Sequence, residues 1–457
     1  MKKALIAHWA LILTILLITA FYFAGISEVP FHPDESTQLF MSADLEQLFT
    51  RPEKLFWHPN GEQDSRQKYR AVDAPLTRYL IGMGRLTAGL DAPSVDWNWS
   101  LNWRANQENG AIPDPSLLLA ARLAVAALFP FSLYFTFKTA ETLGGRFCGW
   151  VSLALLACNA LILLHTRRAM AEGALTFGVT FTLWALTRFN RSPWLLAIPI
   201  ALAFNAKQSA GALLAVGLLA IWWPATDSTR PITIRLRQTL AYFATFAGIT
   251  LLLNPFFWSN PLGAGAASLH ASRDLLSRQI ETMSVVQPEL APTAVLKHLG
   301  AIWTQLFLAP PAIAEVGNYL QETQPAAIQY FFSPLNSLLR GVVGGGIMMW
   351  LSFSGFAFAL YQIVRYPRQP KRLLVLLCSA TLLETLLLSW IPLVFQRYTL
   401  PLVPFTTIWT AYCLNQIRQE IPFKPFLRFA AEKFAGNPQT ANRAISIDDR
   451  PGGFYRE

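Results

Sequence analysis

With 457 residues, 53% of them hydrophobic and only 14% charged, and a mean hydropathy of +0.34, the chain has the composition of a polytopic membrane protein and not of a soluble domain. Its net charge of +10 does not point to nucleic acid, because the basic residues lie mainly in short gaps between apolar runs, which is the positive-inside pattern. The four cysteines, Cys148, Cys158, Cys378 and Cys413, fall in or beside apolar runs and read as small core residues, not as a disulfide framework or a metal site.

Met1-Lys2-Lys3 opens an apolar run that reaches about Ile26. It is long for a signal peptide and no small-x-small cleavage site follows, so a retained first helix with a cytoplasmic N-terminus is expected. A spanning helix needs about 20 apolar residues, and about ten such helices are expected, at about 4–26, 117–137, 149–165, 170–188, 193–207, 209–224, 238–257, 341–364, 373–394 and 399–416. Together they make a transmembrane domain over 1–416. Between them lie two long extracytoplasmic loops, 27–116 and 258–338. Residues 417–457 form a short cytoplasmic tail, partly disordered, with a surface helix near 425–434.

The charges agree with this alternation. The inside gaps carry Lys138 and Arg146, then Arg188 and Arg191, then Arg230, Arg235 and Arg237, then Arg365, Arg368, Lys371 and Arg372; the tail adds Arg418, Lys424 and Arg428. Arg167, Arg168, Lys207 and Arg397 break the rule by falling on the outer side.

Within the first loop, Phe31-His32-Pro33-Asp34-Glu35 places two adjacent carboxylates just beyond the first apolar run. One reading is a helix start, with Pro33 in the first position and acids complementing the dipole. Leu39, Phe40, Leu48 and Phe49 support a helix lying along the membrane surface. The other reading is a general base at the membrane face. Ala74 to Leu86 is expected to form a second surface helix, while Trp57, Trp97, Trp99 and Trp103 suit the headgroup region. The second loop contains a polar amphipathic helix over Ser268 to Met283. Leu296 to Leu308 is apolar but short, and reads as re-entrant or interfacial.

The alternation gathers Asp34, Glu35, Arg167, Arg168, Glu172, Lys207, Asn254 and Arg397 at the outer face, with Arg122 close to it. Charges at a membrane edge are costly and usually face a cavity or a partner. Simpler roles also fit: Arg168 and Glu172, four apart, can pair on a helix, Lys207 can snorkel, Arg397 can anchor a helix end, and Asn254-Pro255 can stop one. Glu384, near the middle of its span, requires a partner or a protonated state. His32, His165, His270 and His298 show no metal spacing.

In order along residues 1–415, Pro33-Asp34-Glu35, Ala121-Arg122-Leu123, Arg168 to Glu172, Ala206-Lys207, Asn254-Pro255 and Arg397-Tyr398-Thr399-Leu400-Pro401-Leu402-Val403-Pro404 resemble the motifs of the GT-C integral-membrane glycosyltransferases. These use polyprenyl-phosphate sugars and include protein O-mannosyltransferases and the lipid A aminoarabinose transferase. The chain departs from that pattern in carrying Glu172 where Asp is common, and in its short tail. The resemblance implies an all-α, GT-C-like polytopic fold and an inverting transfer of a hexosyl or pentosyl group from a polyprenyl-phosphate-linked sugar to a glycan, lipid or protein acceptor. The site would lie on the extracytoplasmic face of a membrane, with a bacterial inner membrane favoured.

The resemblance also implies site roles. Asp34 is the general base and Glu35 its orienting neighbour or an acceptor contact. Arg168, Lys207 and Arg397 bind the donor phosphate, and Glu172 and His32 orient the acceptor or a cation. Some GT-C enzymes use a divalent cation between acids of two loops; no dense ligand cluster assigns one here. A multi-pass transporter or lipid flippase, or an O-antigen ligase or polymerase, are the competing readings. A transporter would carry its polar groups at the midplane in paired repeats, whereas here they lie at one face.

Overall fold

The computed structural model describes residues 2–59, 65–223, 231–314, 319–333, 336, 338–366 and 371–420. The expected tail helix near 425–434 and the cations Arg230, Arg368, Lys424 and Arg428 lie outside them. The chain divides into two compact units, Met1–Cys413 and Leu414–Glu457; the described part of the second is the end of the helix Val403–Glu420. All regular structure among the described residues is helical.

The helices fall on the apolar runs. The first is Lys2–Ala24. The next two expected spans correspond to Pro115–Ala126, Phe129–Ala157 and Ala160–His165. Phe129–Ala157 is broken at Gly144 and Gly145, where Gly145 has φ +78°. Only glycine adopts that conformation readily, so a sharp bend stands where an inside turn is expected. Ala171–Arg188, Ala197–Ala206, Ala212–Trp222, Ile232–Leu253, Gly341–Arg365, Arg372–Trp390 and Val403–Glu420 follow. Among the described residues, four stretches are long and apolar enough to cross a membrane: Pro115–Ala157, Ile232–Leu253, Gly341–Arg365 and Arg372–Trp390. His8–Ala24, Pro193–Ala206 and Gln208–Trp222 are apolar but shorter.

The two long connections are helical as well. Pro33–Met41, Asp44–Thr50, Ser65–Val72, Leu76–Thr87 and Trp103–Glu108 occupy the first long connection. The second holds Pro261–Val286, then Val295–Trp303 running into a wider turn at Thr304–Leu308. The first connection has a polar centre of its own. Asp44 accepts from Arg70 at 2.7 and 3.0 Å and from Arg78 at 3.1 Å, all three side chains being buried. Two guanidiniums on one carboxylate lock three short helices that are too small to hold themselves together by apolar burial.

Small residues set the helix spacing. Ala171–Arg188 and Ala197–Ala206 pack closely at Gly178, where a Cβ would lie 2.5 Å from the Ala203 Cα. The obstacle is backbone and cannot swing aside, as is usual for close-packed membrane helices. Gly178→Ala is therefore expected to destabilise by about 1–3 kcal/mol, read as a lower unfolding temperature in detergent. The contact matters for the site, because Glu172 begins one of these helices and Lys207 ends the other. Glu384 is buried within Arg372–Trp390, and neither of its carboxylate oxygens has a hydrogen-bond partner among the described residues.

Candidate active site

The site is built at the exit of the first helix. Residues 25–32 form no helix, so their carbonyls need outside donors. Three buried arginines supply them. Arg167 donates to the Tyr22 carbonyl at 3.0 Å, its guanidinium 5.0 Å from the Tyr22 ring. Arg122 donates to the carbonyls of Ile26 at 3.0 Å and Val29 at 2.8 Å. Arg168 donates to the carbonyls of Pro30 at 3.2 Å and Ile313 at 2.7 Å. Positive charge at a helix C-terminus is favourable. Arg167 and Arg168, expected against the charge rule, are thus occupied by main-chain carbonyls.

The helix Pro33–Met41 starts from this braced segment. Pro33 takes the first turn, and His32 is the N-cap, its Nδ1 accepting from the Asp34 N–H at 3.1 Å. Burial, with Arg168 and Arg397 adding to it, holds the His32 imidazole well below its usual pKa, which keeps Nδ1 available as an acceptor. Glu35 completes a capping box by accepting from the His32 N–H at 3.0 Å.

The two adjacent acids then part. Glu35 is fully buried, and Arg122 grips it with two bonds of 2.7 Å while the Ala169 N–H donates at 2.8 Å. Asp34 points outward, its side chain 31% exposed, and pairs with Arg397. Arg397 lies in the turn Gln396–Leu402. Its neighbour Gln396 ties that turn to the second long connection by donating to the Pro310 carbonyl at 2.9 Å.

Beside this pair stands a second one. Lys207 donates to Glu172 at 2.7 Å and sits 4.6 Å from the centre of the Tyr398 ring. Glu172 does not pair with Arg168 in an i,i+4 contact, because the helix begins only at Ala171 and Arg168 lies in the preceding turn. Among the described residues the other oxygen of Glu172 has no hydrogen-bond partner, nor has either ring nitrogen of the buried His165. Of the cations expected to line the site, Lys207 and Arg397 are there. Arg168 has no exposed surface and bonds to main-chain carbonyls, so it braces the loop.

Several residues here have no counterpart in the sequence reading. Asp73 follows Ser65–Val72 and lies in the field of Asp34, Arg78, Lys207 and Arg397. Burial pushes its carboxyl up to about 6, Asp34 adds to the shift, and the three cations oppose it. Burial likewise raises Asp96, which accepts from the Tyr69 hydroxyl and, at 2.7 Å, from the Trp97 N–H. Trp97 is buried and not at a lipid surface: with Phe31, Trp99, Trp103 and Tyr319 it forms an aromatic cluster with ring centres 5.7–6.3 Å apart around it. The only sequence signal for Asp73 was its place just before Ala74-Pro75, where an acid reads as a helix cap; no side-chain cap forms there.

The carboxylates do not make a cation cage. Among the described residues no three His, Cys, Asp or Glu side chains converge closely enough to hold a metal ion. Asp34 is committed to Arg397, Glu172 to Lys207 and Asp96 to Tyr69. The donor set does not fit a resident divalent cation.

No family model and no curated protein matches the sequence. Among solved structures, the chain is similar to an oligosaccharyltransferase of Archaeoglobus fulgidus in the apo form, with 12% identity over 92% of this chain and 52% of that one and a TM-score of 0.48. It is also similar to the protein O-mannosyltransferase complex of S. cerevisiae bound to the sugar donor, with 15% identity over 56% of this chain and 34% of that one and a TM-score of 0.38. The chain spans about half the length of the archaeal enzyme.

Proposed function

We propose that the chain is an inverting glycosyltransferase that moves a sugar from a polyprenyl-phosphate donor to an acceptor at the extracytoplasmic face of a membrane. The observation that carries this reading is the division of the acidic pair. Glu35 is sealed into the scaffold by four charge-assisted or main-chain bonds, so Asp34 is left as a partly exposed carboxylate on a fixed helix start, paired with Arg397, whose charge also acts on the Glu172–Lys207 pair. A base must be rigidly held yet reachable. A departing phosphate needs cations already in place.

The step is a single displacement. The acceptor O–H or N–H gives its proton to Asp34 as the oxygen or nitrogen bonds to the sugar C1. The C1–O bond to the phosphate breaks, and its electron pair stays on the phosphate oxygen, where Arg397 and Lys207 balance the charge. Both cations are engaged by carboxylates in the structure. A donor phosphate would compete for them, and its capture of Arg397 would release Asp34. Donor therefore binds first, and the base is unmasked only once a leaving group is present.

The test is release of polyprenyl phosphate from a panel of polyprenyl-phosphate sugars, in purified membranes and in detergent, with and without candidate acceptors. Acceptor-dependent release from at least one donor is expected. Donor that binds but is never consumed, together with movement of labelled lipid across proteoliposomes, would instead favour a flippase.

A further inference from the structure

Glu172 enters the mechanism above only as the partner of Lys207, and that leaves half of its carboxylate unused. The side chain is 2% exposed. One oxygen accepts from Lys207 at 2.7 Å, and the other accepts nothing among the described residues. Glu172 lies in the first turn of Ala171–Arg188, and Lys207 directly follows Ala197–Ala206. Those two helices meet backbone to backbone at Gly178 and Ala203, so carboxylate and ammonium are held at a fixed spacing. A buried oxygen that lacks a donor is costly, and it calls for a hydrogen from outside the chain.

A second group beside the same turn is in the same condition. His165 closes the helix Ala160–His165, is buried, and has no partner at either ring nitrogen among the described residues. Its helix and the helix of Glu172 both pack on the turn Gln396–Leu402, which carries Arg397 and Tyr398. The unused capacity is of both kinds: an acceptor in the carboxylate, a donor and an acceptor in the imidazole. A hydroxyl group, which donates and accepts, matches it.

Lys207 sets where that hydroxyl would be. Its ammonium has three N–H donors; one goes to Glu172, and the Tyr398 ring centre lies 4.6 Å away. Two bonds of about 2.8 Å from one tetrahedral nitrogen put their oxygens about 4.5 Å apart. A donor phosphate received by Lys207 therefore lies beside the Glu172 carboxylate, and the part of the sugar nearest the phosphate comes with it. That part is C1 and the hydroxyl on C2.

We infer that Glu172 is a specificity-determining residue of the donor site: its free oxygen accepts from the C2 hydroxyl of the donor sugar, so the chain uses sugars that carry that hydroxyl. The inference rests on the transferase reading. As the bond to phosphate breaks, C1 gains positive charge and the C2 hydroxyl becomes a stronger donor, so the contact tightens in the transition state and acts on kcat more than on KM.

The experiment compares the panel hexosyl donor that wild type consumes fastest with its 2-deoxy analogue, in acceptor-dependent turnover, for wild type and Glu172→Gln. Loss of the C2 hydroxyl should lower the wild-type kcat about 10- to 100-fold, with KM little changed. Glu172→Gln keeps one side-chain oxygen, which Lys207 takes, and the amide nitrogen in place of the other cannot accept. The variant should be slower than wild type and should consume the two donors at similar rates. If Glu172 only anchored Lys207, the variant would slow both donors alike and keep the wild-type ratio. That result overturns the inference and leaves the transferase reading standing. So does a wild type that ignores the C2 hydroxyl, or whose fastest donor lacks it, and this comparison needs no variant. If wild type consumes no donor with any acceptor, both readings fall together.

Discussion

Asp34→Asn is expected to lower sugar transfer by roughly 10²- to 10⁴-fold, the range for removing a positioned general base, while donor still binds. Asn is nearly the same size and cannot take the proton. The change should not disturb the helix start, because the capping bonds of this segment run through the main-chain N–H groups of His32 and Asp34 and through the side chains of His32 and Glu35. It does remove the carboxylate that holds Arg397. With that competitor gone, a donor phosphate meets a cation already released, so the donor Kd should stay level or drop. Slow chemistry with equal or tighter donor binding is the signature. Comparing single-turnover rates and donor binding for the two proteins checks it. Unchanged turnover in the variant would reduce Asp34 to a helix-start residue and remove the mechanism.

Arg122→Leu is expected to be the most damaging change to the fold. Arg122 and Glu35 are both buried and joined by two bonds of 2.7 Å. Removing one partner of such a pair leaves an uncompensated charge and costs about 3–5 kcal/mol. Here the loss is larger in kind, since the same guanidinium also satisfies the carbonyls of Ile26 and Val29. The variant should be poorly recovered from membranes, and what is recovered should unfold at a much lower temperature. Arg122→Leu combined with Glu35→Leu should unfold at a higher temperature than Arg122→Leu alone, because the stranded carboxylate is gone. A double variant no more stable than the single one would show that the carbonyl contacts, and not the ion pair, dominate.

The helices were legible because apolar run length is a one-dimensional signal, and the segments at 170–188, 341–364 and 373–394 fall almost residue for residue on Ala171–Arg188, Gly341–Arg365 and Arg372–Trp390. The gathering of Asp34, Glu172, Lys207 and Arg397 was legible for a related reason: alternation fixes which end of each helix a charge occupies. The work each charge does was not. Glu35 becomes structural only through Arg122 and Ala169, and Arg168 donates to the carbonyl of Ile313. Those partners lie 87 to 145 residues along the chain, and no local pattern announces them. Asp73 was hidden because an acid before Ala-Pro looks like ordinary turn chemistry. The tryptophans were read as lipid anchors by residue type, yet Trp97 is the buried hub of a ring cluster.

The arginine clasp around residues 22–30 has a consequence for biosynthesis. When the first helix leaves the ribosome, the carbonyls of Tyr22, Ile26, Val29 and Pro30 have no donors, since those donors are Arg122, Arg167 and Arg168. At about 5–20 residues per second, the first of these follows Pro30 by several seconds and the last by up to about half a minute. Through that interval the segment that carries the acidic pair is unlocked. The segment that carries Asp34 is thus among the first synthesised and among the last to set, and a nascent chain truncated before Arg168 should leave it open to protease.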